Sequence, residues 1–323
     1  MKRRNLWSNL ARILLSVITL VILLREVGGG KVLAVLRGAD WGLLVVAVAL
    51  FLAGIVVRTF RWRALLQGLG VRPPFWRLLK LYLVGGFFNA FLPSGFGGDV
   101  VRVVELAQGE QRSAALGTVL VDRMTGILSQ MAMGLLVLPF AAALEPWLVW
   151  TFVVVAVGGL FGGFLVLEGR LLRRFTERLP GPLSLAGQGK LAQVYAAISG
   201  CGPRAVWVAL GLSTLFNLIN IVIYWFCARA VGITVGIDFY FIAVPLLSLT
   251  LLVPISVGGL GARDWVGQPL FNSVGVLSAQ AAGMTLSVYA VTAAAGLVGG
   301  LIYLWQGFSG LVRPRPGGEE VDA

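Results

Sequence analysis

Seven ionisable side chains stand in or against long apolar stretches of the 323-residue chain: Asp99, Arg102, Glu105, Asp122, Arg123, Arg263 and Asp264. A charge at the centre of a membrane-spanning helix costs about 2.5–3.5 kcal/mol on insertion scales, so each of these residues needs a partner or a polar path. Asp99 and Glu105 lie at i−3 and i+3 from Arg102, a helical spacing that allows both carboxylates to pair on one face. Two chemistries fit. The charges can neutralise one another as structural salt bridges, or the arginines can hold an anionic group while the acids balance or gate them by protonation. Asp122 and Arg123 are adjacent and so point different ways, which sends at least one of them to a partner on another element.

Some of these charges follow a short motif that occurs twice. Leu92-Pro93-Ser94-Gly95-Phe96-Gly97-Gly98-Asp99 and Val253-Pro254-Ile255-Ser256-Val257-Gly258-Gly259-Leu260-Gly261 share a proline, then a serine, then a glycine pair, each at the end of an apolar run. Arg102 follows the first copy and Arg263-Asp264 the second. Proline stops a helix, and paired glycines permit positive φ and close approach. Irregular backbone at membrane depth must be satisfied by protein or by a wet cavity, so each break implies a polar cavity or a tightly packed hairpin. Asp99 can cap a new helix through Val100-Val101-Arg102, whose free N–H groups and positive dipole end would offer an anion site. Interrupted segments at corresponding places in two halves are a sequence pointer to a transporter site near the bilayer midplane.

A further basic group is Arg58-Thr59-Phe60-Arg61-Trp62-Arg63, which closes the second apolar segment. It reads either as a cytoplasmic anchor with an interfacial tryptophan, or as three arginines that gather a lipid phosphate at a cytoplasmic entrance to the cavity.

The elements that must position these residues are helices in a bilayer. The chain is 58% hydrophobic and 12% charged, with mean hydropathy +0.89, whereas soluble domains carry about 25% charged residues. Segments at about 6–24, 41–57, 114–143, 147–167, 205–228 and 276–306 are long enough to cross a hydrocarbon core. Two more, about 78–98 and 239–262, end in the breaks. The expected fold is therefore an all-α polytopic membrane protein of eight apolar segments, six full spans and two discontinuous ones. Lys2, Arg3 and Arg4 precede the first segment as in a secretion signal, but Leu24-Arg25-Glu26-Val27 has no small-residue cleavage site, and an uncleaved span is expected.

Residues 58–80 carry Arg58, Arg61, Arg63, Arg72, Arg77 and Lys80 without an acid, and residues 168–190 are also basic, so both read as cytoplasmic loops. They share a side only if 78–98 is re-entrant, or crosses together with a further span within 100–120. The two broken segments then enter from opposite leaflets. Residues 41–167 and 205–306 become inverted copies within one domain, 1–312, followed by a short disordered cytoplasmic tail, 313–323, with both termini cytoplasmic.

Much chemistry is excluded. The chain has no histidine, which removes Ser/His/Asp triads and histidine-based zinc sites. Cys201 and Cys227 form no CxxC. The net charge of +12 sits in short blocks beside apolar runs, a pattern of anionic-lipid contact and not of nucleic-acid binding. Gly187-Gln188-Gly189-Lys190-Leu191 lacks the upstream glycine and the following Ser/Thr of a phosphate loop, so no ATP-driven engine is expected, and neither metal nor cofactor is.

Four motifs in order carry a resemblance over about residues 8–306: Arg58-Thr59-Phe60-Arg61-Trp62-Arg63-Ala64-Leu65-Leu66; Gly86-Phe87-Phe88-Asn89-Ala90-Phe91-Leu92-Pro93-Ser94 through Gly97-Gly98-Asp99-Val100-Val101-Arg102; Val121-Asp122-Arg123-Met124-Thr125-Gly126; and Pro254-Ile255-Ser256-Val257-Gly258-Gly259-Leu260-Gly261-Ala262-Arg263-Asp264. In these the chain resembles the flippase-like transmembrane family of the lysylphosphatidylglycerol synthase/flippase. Asp264 stands where the family usually has Glu, and only a short tail follows Trp305, so no aminoacyl-transferase domain and no lysyl-lipid synthesis are expected. The resemblance implies translocation of a lipid with a polar or phosphate-bearing head group across the cytoplasmic membrane, by a protein that is not an enzyme. Asn89 joins the residues above as lining of the head-group cavity. Arg102, Arg263 and the N–H groups after Gly98 and Gly259 are expected to hold the phosphate. Asp99, Glu105, Asp122 and Asp264 would balance the arginines. Expected partners are membrane lipids, anionic or polyprenyl-phosphate-linked; a homo-oligomer and a lipid-synthesising partner enzyme stay open. The alternatives are a membrane-embedded transferase acting on a lipid-linked substrate and an accessory subunit of a lipid-modifying or cell-envelope system.

Overall fold

The computed structural model describes residues 29–91, 97–106, 112–140, 145–168, 190–250 and 262–312. The first expected span, the expected tail, most of 168–190 and both breaks, with Pro93, Ser94, Pro254, Ser256, Gly258, Gly259 and Gly261, lie outside these residues. Among the described residues every regular element is helical: α1 Gly29–Arg37, α2 Trp41–Gly68, α3 Phe75–Phe91, α4 Gly97–Leu106, α5 Arg112–Val137 with a 3-10 turn at Leu138–Phe140, α6 Pro146–Glu168, α7 Lys190–Gly200, α8 Pro203–Ala230, α9 Ile237–Leu249, α10 Ala262–Asn272 and α11 Ser278–Val312.

Five stretches are long and apolar enough to cross a membrane: Trp41–Gly68, Ser113–Phe140, Pro146–Val166, Pro203–Ala230 and Ser278–Trp305. They match five of the six full spans expected, and the sixth is the undescribed 6–24. Trp41, Trp76, Trp147, Trp207, Trp265 and Trp305 all face outward near helix ends, as tryptophans at a bilayer interface do. The protein is a multi-pass membrane protein.

Local chemistry sets the boundaries. Asp40 caps α2, its Oδ1 accepting from the N–H groups of Gly42 at 2.8 Å and Leu43 at 3.2 Å. Gly202, at φ +76°, turns the chain into α8, and Pro203 occupies the first helical position. One expectation is corrected. Arg58, Arg61 and Arg63 do not lie in a loop after residue 57: α2 continues to Gly68, because Arg61 is paired inside the protein.

The order of elements repeats. A long helix, a shorter one, a short one and a long one run as α2, α3, α4, α5 and again as α8, α9, α10, α11. Contacts between these two sets occur in matched pairs: α3 packs on α11 as α9 packs on α5, and α2 on α11 as α8 on α5. The two first helices pack on each other and run antiparallel. The Asp40 N–H at the start of α2 donates to the Ala230 carbonyl at the end of α8 (2.9 Å), while Gly68, at the end of α2, lies against Cys201 and Ala205 at the start of α8. Each set has its own apolar core. Ile55, Trp62, Leu66, Leu78, Tyr82, Leu106, Ala115 and Val119 form one; a larger one centres on residues of α8 to α11, such as Tyr224, Tyr240, Phe271 and Met284.

Candidate functional site

Polar residues left between the two cores meet in two adjoining places, an ion-pair cluster and a cavity. The cluster forms first from the sequence. Asp122, on α5 and fully buried, accepts from Arg61 Nε at 2.6 Å, from Tyr82 Oη at 2.6 Å and from both terminal nitrogens of Arg102 at 3.3 Å. Arg102 also reaches Asp99 Oδ1 at 3.1 Å, and Arg123 pairs with the other oxygen of Asp99. Arg61 Nη1 donates to Ser213 Oγ on α8 at 2.9 Å. The Arg102 guanidinium packs on the rings of Tyr82, 3.8 Å from its centroid, and Trp62, at 4.1 Å. Trp62 is fixed in turn by donating to Thr118 Oγ1 at 3.1 Å. Removing charges from water costs more than their attraction returns unless lone pairs and protons are satisfied; here each oxygen of both carboxylates accepts from at least one arginine, while the buried Arg102 Nε has no partner among the described residues.

The cavity lies beside the cluster, with a volume of about 290 Å³. α2 contributes Arg58 and Arg61, α3 Asn89, α5 Arg123 and Gln130, α8 Asn217 and Asn220, α9 Ser248, α10 Arg263 and α11 Thr292. Both sets of helices thus build it. Among the described residues four arginines line it and no carboxylate does. Two of the four already have acidic partners behind the wall, Arg61 with Asp122 and Arg123 with Asp99. The other two differ. Arg58 stacks 5.1 Å from the rings of Tyr82 and Phe216, and its buried Nε has no hydrogen-bond partner. Arg263 is 8% exposed, and its Nε and Nη1 are likewise buried without partners. Buried donors of this kind are rare unless something unseen satisfies them.

The expected site residues fall into three groups. Arg58, Arg61, Asn89, Arg123 and Arg263 line the cavity. Gly97, Gly98, Asp99, Arg102 and Asp122 stand behind it. Asp99 is not the cap of α4 but lies in its first turn, and the Gly98 N–H donates to Asn89 Oδ1 at 2.7 Å. Arg102 does not line the cavity, because its guanidinium is taken up by Asp99 and Asp122. Asp264 is buried and accepts from Thr285 on α11. Glu105 and Arg63 are apart from it: the Glu105 side chain is exposed and makes no ion pair with Arg102, its carbonyl instead accepting from Arg77, and Arg63 is half-buried outside the lining. The remaining seven residues are those outside the described ones. Sequence reasoning missed Tyr82, Gln130, Asn217, Asn220 and Ser248. Neutral polar residues at single positions inside apolar helices were the available signal.

The described residues thus form a helical membrane bundle with a cationic cavity between its helices. Residues 9–300 match the family model for the lysylphosphatidylglycerol synthase TM region, and the chain belongs to that family. A membrane lipid-related function follows. No curated protein matches the chain.

Proposed function

We propose that the protein translocates a lipid across the cytoplasmic membrane, the polar or phosphate-bearing head group passing through the cavity while the acyl chains stay in the bilayer. The observation that carries this reading is the cavity itself: four arginines from both sets of helices, lined by no carboxylate among the described residues. Arg58 lies inside α2, ten residues before its end, and not in a loop beyond it. Arginine is suited to the task because its planar donors match phosphate oxygens. Arg58 and Arg263 take the phosphate-binding role first expected of Arg102 and Arg263, and Arg61 and Arg123 assist while tied to their aspartates.

The halves α2–α5 and α8–α11 are two inverted copies in this reading, supported by the antiparallel pairing of α2 with α8 and by the matched contacts around it. Such pairs let a central site face either leaflet by rocking one half against the other. The N-terminus and the basic segments lie on the cytoplasmic side, and the driving force is a gradient, an exchange or a partner.

The test is transbilayer movement of short-chain fluorescent phospholipids in proteoliposomes. The reading predicts movement well above that of protein-free vesicles; a rate equal to theirs contradicts it. The transferase alternative needs Asp99, Asp122 or Asp264 as a free base; Asp99 and Asp122 are both held by arginines, and Asp264 accepts from Thr285.

A further inference from the structure

We propose that the head group this cavity accepts is a dianion, a phosphomonoester or diphosphate on a lipid, bound between Arg58 and Arg263. A singly charged phosphodiester binds less well and a cationic, aminoacylated head group is rejected. The inference rests on the translocation reading and names its substrate class.

Charge and satisfaction carry it. Among the described residues around the cavity and in its wall, Arg58, Arg61, Arg102, Arg123 and Arg263 are five cations and Asp99, Asp122 and Asp264 are three anions, which leaves two positive charges. The aspartates of the cluster engage Arg61, Arg102 and Arg123. Neither Arg58 nor Arg263 has a carboxylate within ion-pair distance among the described residues, and these are the two lining arginines with buried nitrogens that lack a partner. A buried charge without compensation is expensive and its donors demand acceptors. A phosphomonoester or diphosphate supplies both: two negative charges, and several oxygens able to accept from two guanidinium groups at once.

The arrangement also works against other head groups. An aminoacylated lipid brings ammonium groups into a wall of four guanidinium groups with no carboxylate to receive them, a repulsive element of the kind that produces specificity. A phosphodiester leaves one of the two surplus charges uncompensated. Arg58, stacked on Tyr82 and Phe216, is held in place by apolar rings and so keeps its full donor set for a ligand.

The test is binding, measured by native mass spectrometry on the full chain in detergent. The probes are a prenyl monophosphate, a prenyl diphosphate, phosphatidic acid, phosphatidylglycerol and lysyl-phosphatidylglycerol, with inorganic phosphate as competitor. The dianionic lipids should bind at least about tenfold tighter than phosphatidylglycerol, and lysyl-phosphatidylglycerol most weakly. Arg58→Gln and Arg263→Gln should each remove most of that preference, Arg58→Lys should retain much of it, and Arg204→Gln, at an exposed position on α8, should leave it unchanged. Equal affinities, or tightest binding of the lysyl lipid, would overturn the proposal. Inorganic phosphate displacing the lipids at equal concentration would point to a soluble anion and overturn the lipid assignment. Should the glutamine variants fail to fold, the wild-type ranking alone decides. Binding and translocation are separable: a charge-ranked protein that moves no lipid refutes the transport reading alone, and one that moves every lipid but binds them all equally refutes only the dianion.

Discussion

Asp122 is the residue on which the buried charges converge, since Arg61, Arg102 and Tyr82 all donate to it from other elements. Taking one partner from a buried ion pair leaves an uncompensated charge and costs about 3–5 kcal/mol. Asp122→Ala should therefore lower thermal stability in detergent sharply, because Arg61 loses its carboxylate partner and Arg102 keeps only Asp99. Arg58→Ala should behave in the opposite way. Only the ring contacts with Tyr82 and Phe216 are lost, and removing a partly buried charge that has no carboxylate partner among the described residues offsets that loss, so stability is nearly retained while anionic-lipid binding falls. Thermal unfolding and lipid binding measured on both variants separate the roles. The sequence made part of this legible: the Asp99–Arg102 pair follows from helical spacing, and the adjacent Asp122 and Arg123 require partners elsewhere. With no acid near them in sequence, Arg58 and Arg61 look like part of a loop; the compensating carboxylate of Arg61 is 61 residues away, and spacing along a chain carries no information about such a pair.

Helices approach closely where glycine allows it. A Cβ on Gly98 would collide with the Gly85 carbonyl oxygen and stand 2.7 Å from Asn89 Nδ2, so Gly98→Ala pushes α4 from α3 and disturbs the hydrogen bond from the Gly98 N–H to Asn89 Oδ1. Overpacking of this type costs about 1–3 kcal/mol, and here it should also reduce transport, because Asn89 lines the cavity and Asp99 and Arg102 ride on α4. Gly299→Ala is the matching case on α11, where the new methyl meets the Leu83 backbone of α3; it should lower the unfolding temperature with a smaller effect on lipid binding. At this scale the sequence locates most helices by apolar length; it expects α4 to start after the glycine pair with Asp99 as cap, whereas α4 begins at Gly97 and takes the pair into its first turn. Where α2 ends was not legible, since a run of arginines marks a membrane boundary unless the protein supplies a buried acid.

Across the whole molecule, two helix sets with the same order meet around one cavity. The proposed inversion of the halves would place the turn after α2 and the turn after α8 on opposite sides of the membrane. Single cysteines at Arg72 and Thr234, in a Cys201→Ala/Cys227→Ala background, should react with impermeant reagents from opposite faces; labelling of both from one face would contradict inversion. The repeated proline–serine–glycine motif hinted at two copies, but only the pairing of Asp40 with Ala230, and of Gly68 with Cys201 and Ala205, makes α2 and α8 antiparallel, a long-range contact no local pattern encodes. The most direct test of a head-group path between the halves is the transbilayer rate of an anionic fluorescent lipid in proteoliposomes carrying Arg58→Gln with Arg263→Gln. The predicted result is a rate reduced at least about tenfold in a protein that still unfolds near the wild-type temperature; an unchanged rate would contradict the account.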